Sequence, residues 1–439
     1  MRTTPSVASS GPNAPARPST VPRPALLPLR FDRHEFAGSV GDIGVMIPLV
    51  VGVSATAHLS LVSVFLCVAA SYAVTALAFR VPLPVQPMKV MGASIIVLGL
   101  SASVVRAASI EIALLLLLLT LTPLARYLAM LFPKAVLRGI QLSVGLLLLK
   151  GALTMASSGK ALAGHHLSIG LGKVAMPLGL LVALAVVVFL LAGRRRWQVP
   201  ASLVVVGVGA AFCALLAVLG ISQVAAIPTG LEWPQRHLPG ANDAWVALYA
   251  LVLPQLPLSL GNSVFATEDV MRHYFGGGAR RVTARRLCLS LGLMNLACGA
   301  LGGMSLCHGA GGATAHYRLG ARSAGSTLIA AALFAALAGA ATLGISPLFV
   351  PEAVLAGMLL FVGLEHCLLV SDLTTVDEVV CAALIAALSV ALNNLAIGFL
   401  VGWAVYMLAL KRSPLQGMAL RWPDLIDRLA PRPMSPEHE

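Results

Sequence analysis

The sequence predicts an all-α polytopic membrane protein whose 14 transmembrane segments form a seven-plus-seven inverted repeat. Three observations predict this fold class: an apolar composition, an alternation of basic residues between connectors, and similar interruptions in the two halves. Of the 439 residues, 58% are hydrophobic and only 11% are charged, and the mean hydropathy is +0.90. Soluble domains carry about 25% charged residues. Lipid is therefore the solvent that this composition fits.

The transmembrane segments are predicted from runs of about 20 mostly apolar residues, the length that a helix needs to cross a bilayer. The seven spans of the first half lie at 36–53, 57–79, 87–104, 110–131, 134–156, 174–193 and 199–220. The seven spans of the second half lie at 245–267, 284–302, 307–319, 324–345, 351–370, 376–392 and 394–410.

The positions of the basic residues support this number of spans. The even-numbered connectors carry 14 Lys and Arg residues, whereas the odd-numbered connectors carry 5. Cytoplasmic connectors of membrane proteins are enriched in Lys and Arg, so the excess places both termini in the cytoplasm. The expected location is a plasma (inner) membrane, crossed many times.

The chain divides into four predicted parts. Residues 1–34 form a disordered cytoplasmic tail, since the first 30 contain seven prolines and no acidic residue. The first seven-span repeat covers 35–222, and the second covers 244–411. Residues 412–439 form a short cytoplasmic tail with no regulatory domain.

Several functional classes do not fit the sequence. The net charge of +13 is spread over short connectors, so it does not indicate a nucleic-acid-binding surface. No two of the seven cysteines have metal-ligand spacing, and we expect no metal and no cofactor. The sequence contains no Walker loop, dinucleotide fingerprint or nucleophile elbow, so we do not expect an enzyme.

The two halves are interrupted at corresponding places. Gly41-Asp42 and Gly261-Asn262 each lie inside an apolar span, and the segments 82–87 and 305–312 each open a later span. The distance from Asp42 to Gln86 is 44 positions, and that from Asn262 to Cys307 is 45. Because seven is odd, the second unit enters the membrane upside down. Paired interruptions of this kind mark the central site of a transporter.

The interruptions place two helix starts where they suit an anion. The third span begins after the proline-rich segment 82–87, and the tenth begins at the glycine-rich segment 305–312. Each start leaves unpaired backbone N–H groups and carries about half a positive charge. Inverted symmetry directs both starts toward the middle of the membrane, where they would hold an oxyanion. The alternative is that the glycines only permit close helix packing.

The predicted substrate-binding residues lie at these starts and at the interruption of the eighth span. They are Gln86, Pro87, Met88, Lys89, Asn262, Ser263, Cys307, His308, Gly309 and Ala310. Lys89 would be a charge partner of the substrate, or would pair with Asp42 or extend to the membrane interface. His308 would donate to the anion or titrate near neutral pH, or else be structural.

The predicted proton-coupling residues are carboxylates, because such groups are costly inside a membrane and often functional. Asp42 is the first choice, while Glu268 and Asp269 would alternatively be solvated beside Arg272. Moving a dianion into a cell against about 100 mV costs about 4.6 kcal/mol. This cost favours symport with at least two protons per anion.

The sequence resembles the molybdate transporter family within the sulfate-permease superfamily. The resemblance covers about 36–410 and is carried by Pro82-Leu83-Pro84-Val85-Gln86-Pro87-Met88-Lys89, Gln255-Leu256-Pro257-Leu258-Ser259-Leu260-Gly261-Asn262-Ser263-Val264 and Cys307-His308-Gly309-Ala310-Gly311-Gly312. It implies a substrate-carrying core domain and a gate domain that alternate access by relative movement.

The function that the resemblance implies is secondary active uptake of molybdate, and the energetic cost given above adds the expectation that this uptake is coupled to protons. Sulfate is the alternative substrate, since both ions are tetrahedral dianions, and a nucleobase is third. An anion channel or a membrane receptor on the same scaffold is the alternative of a different class. The expected partners are the oxyanion, protons and membrane lipid, with a homodimer as an open alternative and no nucleic acid.

Overall fold

A computed structural model of the chain describes residues 27–41, 43–157, 168–171, 174–193, 230–231, 239–343 and 351–408, together with single positions between 204 and 215. Most of these residues are helical, as expected for a chain that must satisfy its backbone polar groups within a bilayer. Six described helices are long and apolar enough to cross a membrane, and four shorter ones are also apolar.

The described residues up to 193 form eight helices and three short strands. They are α1 (Arg33–Ser39), α2 (Ile43–Ala57), α3 (Leu61–Phe79), β1 (Gln86–Pro87), α4 (Lys89–Leu98), α5 (Ala102–Leu121), α6 (Leu124–Leu131), α7 (Lys134–Ser157), β2 (Ser168–Leu171), β3 (Val174–Pro177) and α8 (Leu178–Gly193). Most of the predicted span 199–220, and all of the tail 412–439, lie outside the described residues.

The second half opens with one continuous helix that has three α-helical parts. These are α9 (Ala241–Ala247), α10 (Leu253–Leu258) and α11 (Thr267–Phe275), joined by π-helical turns at Leu248–Val252 and Ser259–Ala266. The remaining elements are α12 (Ala284–Ala300), β4 (Leu306–Cys307), α13 (Ala310–Arg318), α14 (Gly325–Thr342), α15 (Glu352–Leu368), α16 (Val376–Ala391) and α17 (Leu395–Leu408).

Some predicted boundaries were wrong. The predicted span 110–131 is in fact α5 and the short helix α6, which are separated at Pro123 because proline lacks the N–H that would continue the helix. The predicted start at residue 36 falls inside α1, which ends before Gly41. The continuous helix 241–275 extends eight residues beyond its predicted end at 267.

The packing of the helices has the symmetry of an inverted repeat. Helix α3 packs on α14, and its symmetry mate is the packing of α12 on α5. Helix α8 packs on α15, and its mate is the packing of α16 on α7. The first two pairs, with α2, α4, α9–α11 and α13, form the core bundle. The last two pairs, with α17, form the gate bundle.

The chain before α2 is held against the core bundle by a buried carboxylate. Glu35 of α1 is only 1% exposed, and it accepts hydrogen bonds from the backbone N–H groups of Arg322 (3.0 Å) and Ser326 (3.2 Å). The Arg30 N–H donates to Ser323 Oγ at 3.0 Å. These contacts fix residues 27–39 on the turn between α13 and α14 and satisfy N–H groups at the start of α14.

We expect Glu35→Ala to destabilise the protein more than Glu35→Gln. The alanine variant leaves two N–H groups without their acceptor, at about 1–3 kcal/mol for each buried group. The glutamine variant keeps one side-chain oxygen as an acceptor. Thermal unfolding in detergent measures the effect, and equal unfolding temperatures for wild type and Glu35→Ala would show that this contact does not hold the segment.

Candidate functional site

The two broken helices meet in a two-stranded antiparallel ladder. Strand β1 pairs with β4 so that Gln86 is opposite Cys307 and Pro87 is opposite Leu306. The Met88 N–H donates to the Ser305 carbonyl oxygen at 2.9 Å and extends the pairing by one bond. The paired residues Gln86 and Cys307 are those that the offset of 221 positions between the halves relates.

Helices α4 and α13 begin directly after the two strands. Their N-cap residues are Met88 and Gly309. The Met88 side chain makes no capping hydrogen bond, and Gly309 has no side chain. Because the strands are antiparallel, the helices leave the ladder in opposite directions and their N-termini stay near each other. Each N-terminus carries about half a positive charge and first-turn N–H groups that no N-cap side chain accepts.

Gly309 permits a close approach between the two halves at the site. A Cβ atom at this position would lie 2.9 Å from Gln86 Oε1 and 3.7 Å from Asn262 Nδ2. The structure therefore brings together three predicted site residues from three different elements: Gln86 on β1, Asn262 on the π-helical turn, and Gly309 at the start of α13. The Gln86 side chain is buried, with 3% of the residue exposed.

The π-helical turn Ser259–Ala266 shapes the third side of this site. The Asn262 carbonyl oxygen accepts from Thr267 Oγ1 at 2.8 Å, five residues further along the chain. Such turns place side chains out of the regular helical sequence and are frequent at functional sites. Ser263 is buried in the same turn, and a Cβ on Gly261 would lie 2.8 Å from Leu137 of α7. The turn therefore lies where the core bundle meets the gate bundle.

Gln255 is a site residue that sequence reasoning missed. It is 2% exposed, and its Oε1 accepts from the Met91 N–H in the first turn of α4 at 3.4 Å. Its Nε2 donates to Ser259 Oγ at 3.1 Å. A buried amide between two prolines, Pro254 and Pro257, was the available signal.

His308 braces the site. Both ring nitrogens are engaged by protein groups: Nδ1 with the Pro84 carbonyl oxygen at 2.8 Å, and Nε2 with Ser290 Oγ at 3.1 Å. The ring is fully buried and meets the edge of Phe79 at 5.9 Å between centroids. This geometry favours the structural alternative for His308 over donation to an anion.

Two further side chains hold the ladder itself. The Asn295 side chain of α12 accepts from the Leu306 N–H at 2.7 Å and donates to the Leu306 carbonyl oxygen at 2.8 Å. Ser109 of α5 and Ser305 are 2.8 Å apart through their hydroxyl oxygens. The strand that precedes α13 is thereby bound on both sides.

Of the four charged residues predicted for the site, Lys89, Glu268 and Asp269 lie in the described part of the chain. Lys89 is the first residue of α4, half-buried, and close enough to His366 of α15 for a charge interaction across the two bundles. Glu268 accepts from the Ala284 N–H at 2.8 Å and pairs with Arg272, which supports its structural alternative. Asp269 is exposed. Asp42 lies outside the described residues.

A second residue that sequence reasoning missed is Glu111, a carboxylate in the middle of α5. Its Oε2 atom is buried and has no hydrogen-bond partner among the described residues. A carboxylate inside an apolar run was the available signal. It was missed because the run on both sides of Glu111 is apolar enough to be predicted as one uninterrupted span. In the part of the chain that the structure describes, no three His, Cys, Asp or Glu residues cluster as metal ligands.

Relatives with similar sequences are transporters. A family model described as "Molybdate transporter of MFS superfamily" matches residues 34–148 and 247–365, which include both broken helices. Molybdate transporter 2 of Arabidopsis thaliana is 28% identical over 418 residues, covering 85% of this chain and 86% of that protein. Molybdate transporter 1 of Chlamydomonas reinhardtii is 26% identical over 492 residues, covering 90% and 95% respectively.

Solved structures share the fold. The transmembrane domain of the cyanobacterial bicarbonate transporter BicA matches with a TM-score of 0.59 at 17% identity, covering 87% of this chain and 99% of that one. The murine Solute Carrier 26 family member A9 anion transporter, in its inward-facing state, matches with a TM-score of 0.58 at 15% identity, covering 85% and 68%.

These matches confirm the predicted seven-plus-seven inverted repeat and the prediction that the chain is not an enzyme. The family description names the MFS superfamily, whereas the fold is that of the two structural relatives. More than half of the chain matches the family model, and both broken helices fall within the matched residues. The chain is therefore a multi-pass membrane protein that belongs to the molybdate transporter family.

Proposed function

We propose that this chain transports a tetrahedral oxyanion, with molybdate as its substrate, by alternating access. The observation that carries the proposal is the meeting of two helix N-termini, without N-cap side-chain bonds, beside Gln86 and Asn262. Backbone N–H groups and helix dipoles at such N-termini favour anions. The names of the relatives from Arabidopsis and Chlamydomonas support molybdate over the other oxyanions.

The location of the site between the two bundles suits alternating access. The ladder fixes α4 and α13 to each other inside the core bundle, whereas Gly261 lies against Leu137 of the gate bundle. Movement of the core bundle against the gate bundle would carry the anion from one side of the membrane to the other. A channel would instead need a continuous path past the same residues, so it is the weaker alternative.

Charge also fits a dianion. The two helix N-termini supply about one positive charge together, and Lys89 adds a second. An oxyanion with two negative charges would therefore be close to neutral in the site. Sulfate meets the same condition, which makes a sulfate transporter of the same fold the second candidate.

Uptake of labelled molybdate into proteoliposomes tests the substrate. We expect unlabelled molybdate to compete at concentrations about ten-fold lower than sulfate does, a difference of about 1.4 kcal/mol. Equal or stronger competition by sulfate would favour the sulfate alternative. Unitary currents that continue without saturation would favour a channel.

We expect Gly309→Ala to weaken anion binding by about ten-fold, or about 1.4 kcal/mol. The added methyl group would force the Gln86 amide from its position, since the two atoms would be only 2.9 Å apart. Gly311→Ala is the matched control, because a Cβ atom there meets nothing within 4 Å. Substrate-induced stabilisation in a thermal unfolding assay measures binding without transport. If the two variants bind the anion with similar affinities, the start of α13 is not part of the site.

The proposed uptake is coupled to protons. It takes place across a plasma (inner) membrane, and both termini of the chain lie in the cytoplasm. Entry of a dianion against about 100 mV costs about 4.6 kcal/mol. A hundred-fold accumulation adds about 2.8 kcal/mol. Two or more protons per anion would supply both terms, and Asp42, between α1 and α2, is the proposed first carrier.

An inward proton gradient should therefore drive accumulation, and a protonophore should abolish it. We expect Asp42→Asn to lose this drive while it retains exchange of molybdate across the membrane. Glu268→Gln is the control, because Glu268 is already engaged by Ala284 and Arg272. If accumulation does not depend on pH or on the protonophore, the protein catalyses facilitated diffusion or exchange instead.

A further inference from the structure

A groove separates α3 from α12 on the outer surface of the core bundle. It has a volume of about 520 Å³, and its walls are almost entirely apolar. The groove lies between α3 and α12 because each helix packs mainly on another partner, α3 on α14 and α12 on α5, and the two contact each other less extensively. Small residues on both sides, Ala70, Ala78 and Ala297, leave the space open.

The groove is charged at one end. Arg281 and Arg286 line the end near the connector between α11 and α12, and none of the lining residues is acidic. An Arg281 guanidinium N–H donates to the Ala78 carbonyl oxygen at 3.2 Å, which holds this cation at the mouth of the groove. An apolar groove with two cations at one end is complementary to an amphiphile with an anionic head.

The length of the groove fits one leaflet of a bilayer. Its wall on α3 runs from Cys67 to Phe79, and twelve residues of α-helix rise about 18 Å. Half of a hydrocarbon core is about 15 Å thick. The connector with the two arginines is one of the basic connectors assigned to the cytoplasm, where the membrane surface carries anionic lipids.

We propose that this groove binds one acyl chain of an anionic phospholipid of the cytoplasmic leaflet, with its phosphate at Arg281 and Arg286. The bound lipid would contact residues that hold His308, which lies next to the anion site. Ser290 and Phe79 line the groove, and both also contact His308, directly before the start of α13. Occupancy of the groove would thus stabilise the arrangement of the ladder and raise transport.

Native mass spectrometry of the full chain, purified with phosphatidylglycerol or phosphatidylcholine, tests the binding. We expect wild type to retain phosphatidylglycerol about 30-fold more strongly, as two cations at about 1 kcal/mol each would give. Arg281→Gln with Arg286→Gln should remove this preference. Arg280→Gln is the matched control, since Arg280 is exposed and does not line the groove.

A second pair of variants tests the position of the acyl chain. Ala297→Trp should fill the groove and abolish retention of both lipids, whereas Leu296→Trp, on the neighbouring residue outside the groove, should not. Ala70→Phe serves the same purpose from α3 if Ala297→Trp unfolds the protein. Uptake in vesicles with phosphatidylglycerol should exceed uptake in phosphatidylcholine alone for wild type and not for the double arginine variant.

Three outcomes would overturn the proposal. Equal retention of both lipids by wild type would show that the arginines do not recognise a headgroup. Unchanged retention in both groove-filling variants would place the lipid elsewhere. A disulfide between Val74→Cys of one copy and Leu293→Cys of a second copy would show that the groove is an interface between copies. The mass spectrometric result does not depend on which anion is transported.

Discussion

The short ladder between β1 and β4 is the constraint on which the rest of the structure depends. Extended backbone within a membrane survives only if its polar groups are satisfied by protein. The ladder supplies that condition through the pairing of Gln86 with Cys307, the added bond from Met88, and the side-chain bonds of Asn295 to Leu306. Without it, neither helix could begin in the middle of the core bundle.

The same ladder explains why an anion site can form there. The ladder uses the N–H group of Met88 but none from the first turns of α4 and α13. In the first turn of α4, the Met91 N–H donates to Gln255. Met88 and Gly309, the two N-cap residues, provide no capping side-chain bond at either helix. The same residues therefore favour strand pairing and leave backbone N–H groups at the two helix starts without a capping acceptor.

Local patterns predicted the frame of the fold, because hydropathy, basic connectors and repeated interruptions are properties of short segments. The offset between the halves even related Gln86 to Cys307 before any contact was known. The contact of Gln255 with Met91 and the proximity of Lys89 to His366 were not predicted, since each joins residues that are far apart in the sequence. Glu111 was missed because the span around it is otherwise apolar. The break at Pro123 was visible in the sequence, but the high hydropathy on both sides concealed it.

The site has a fixed part and a variable part. The ladder joins the two helix N-termini, so in the proposed transport cycle their separation, and with it their attraction for an anion, would stay the same. Lys89 and His366 belong to different bundles, so the proposed movement of one bundle against the other would change the distance between them. In the proposed transport cycle, coupling of anion release to bundle movement would act through groups at this boundary, while the ladder would hold the backbone donors that favour an oxyanion.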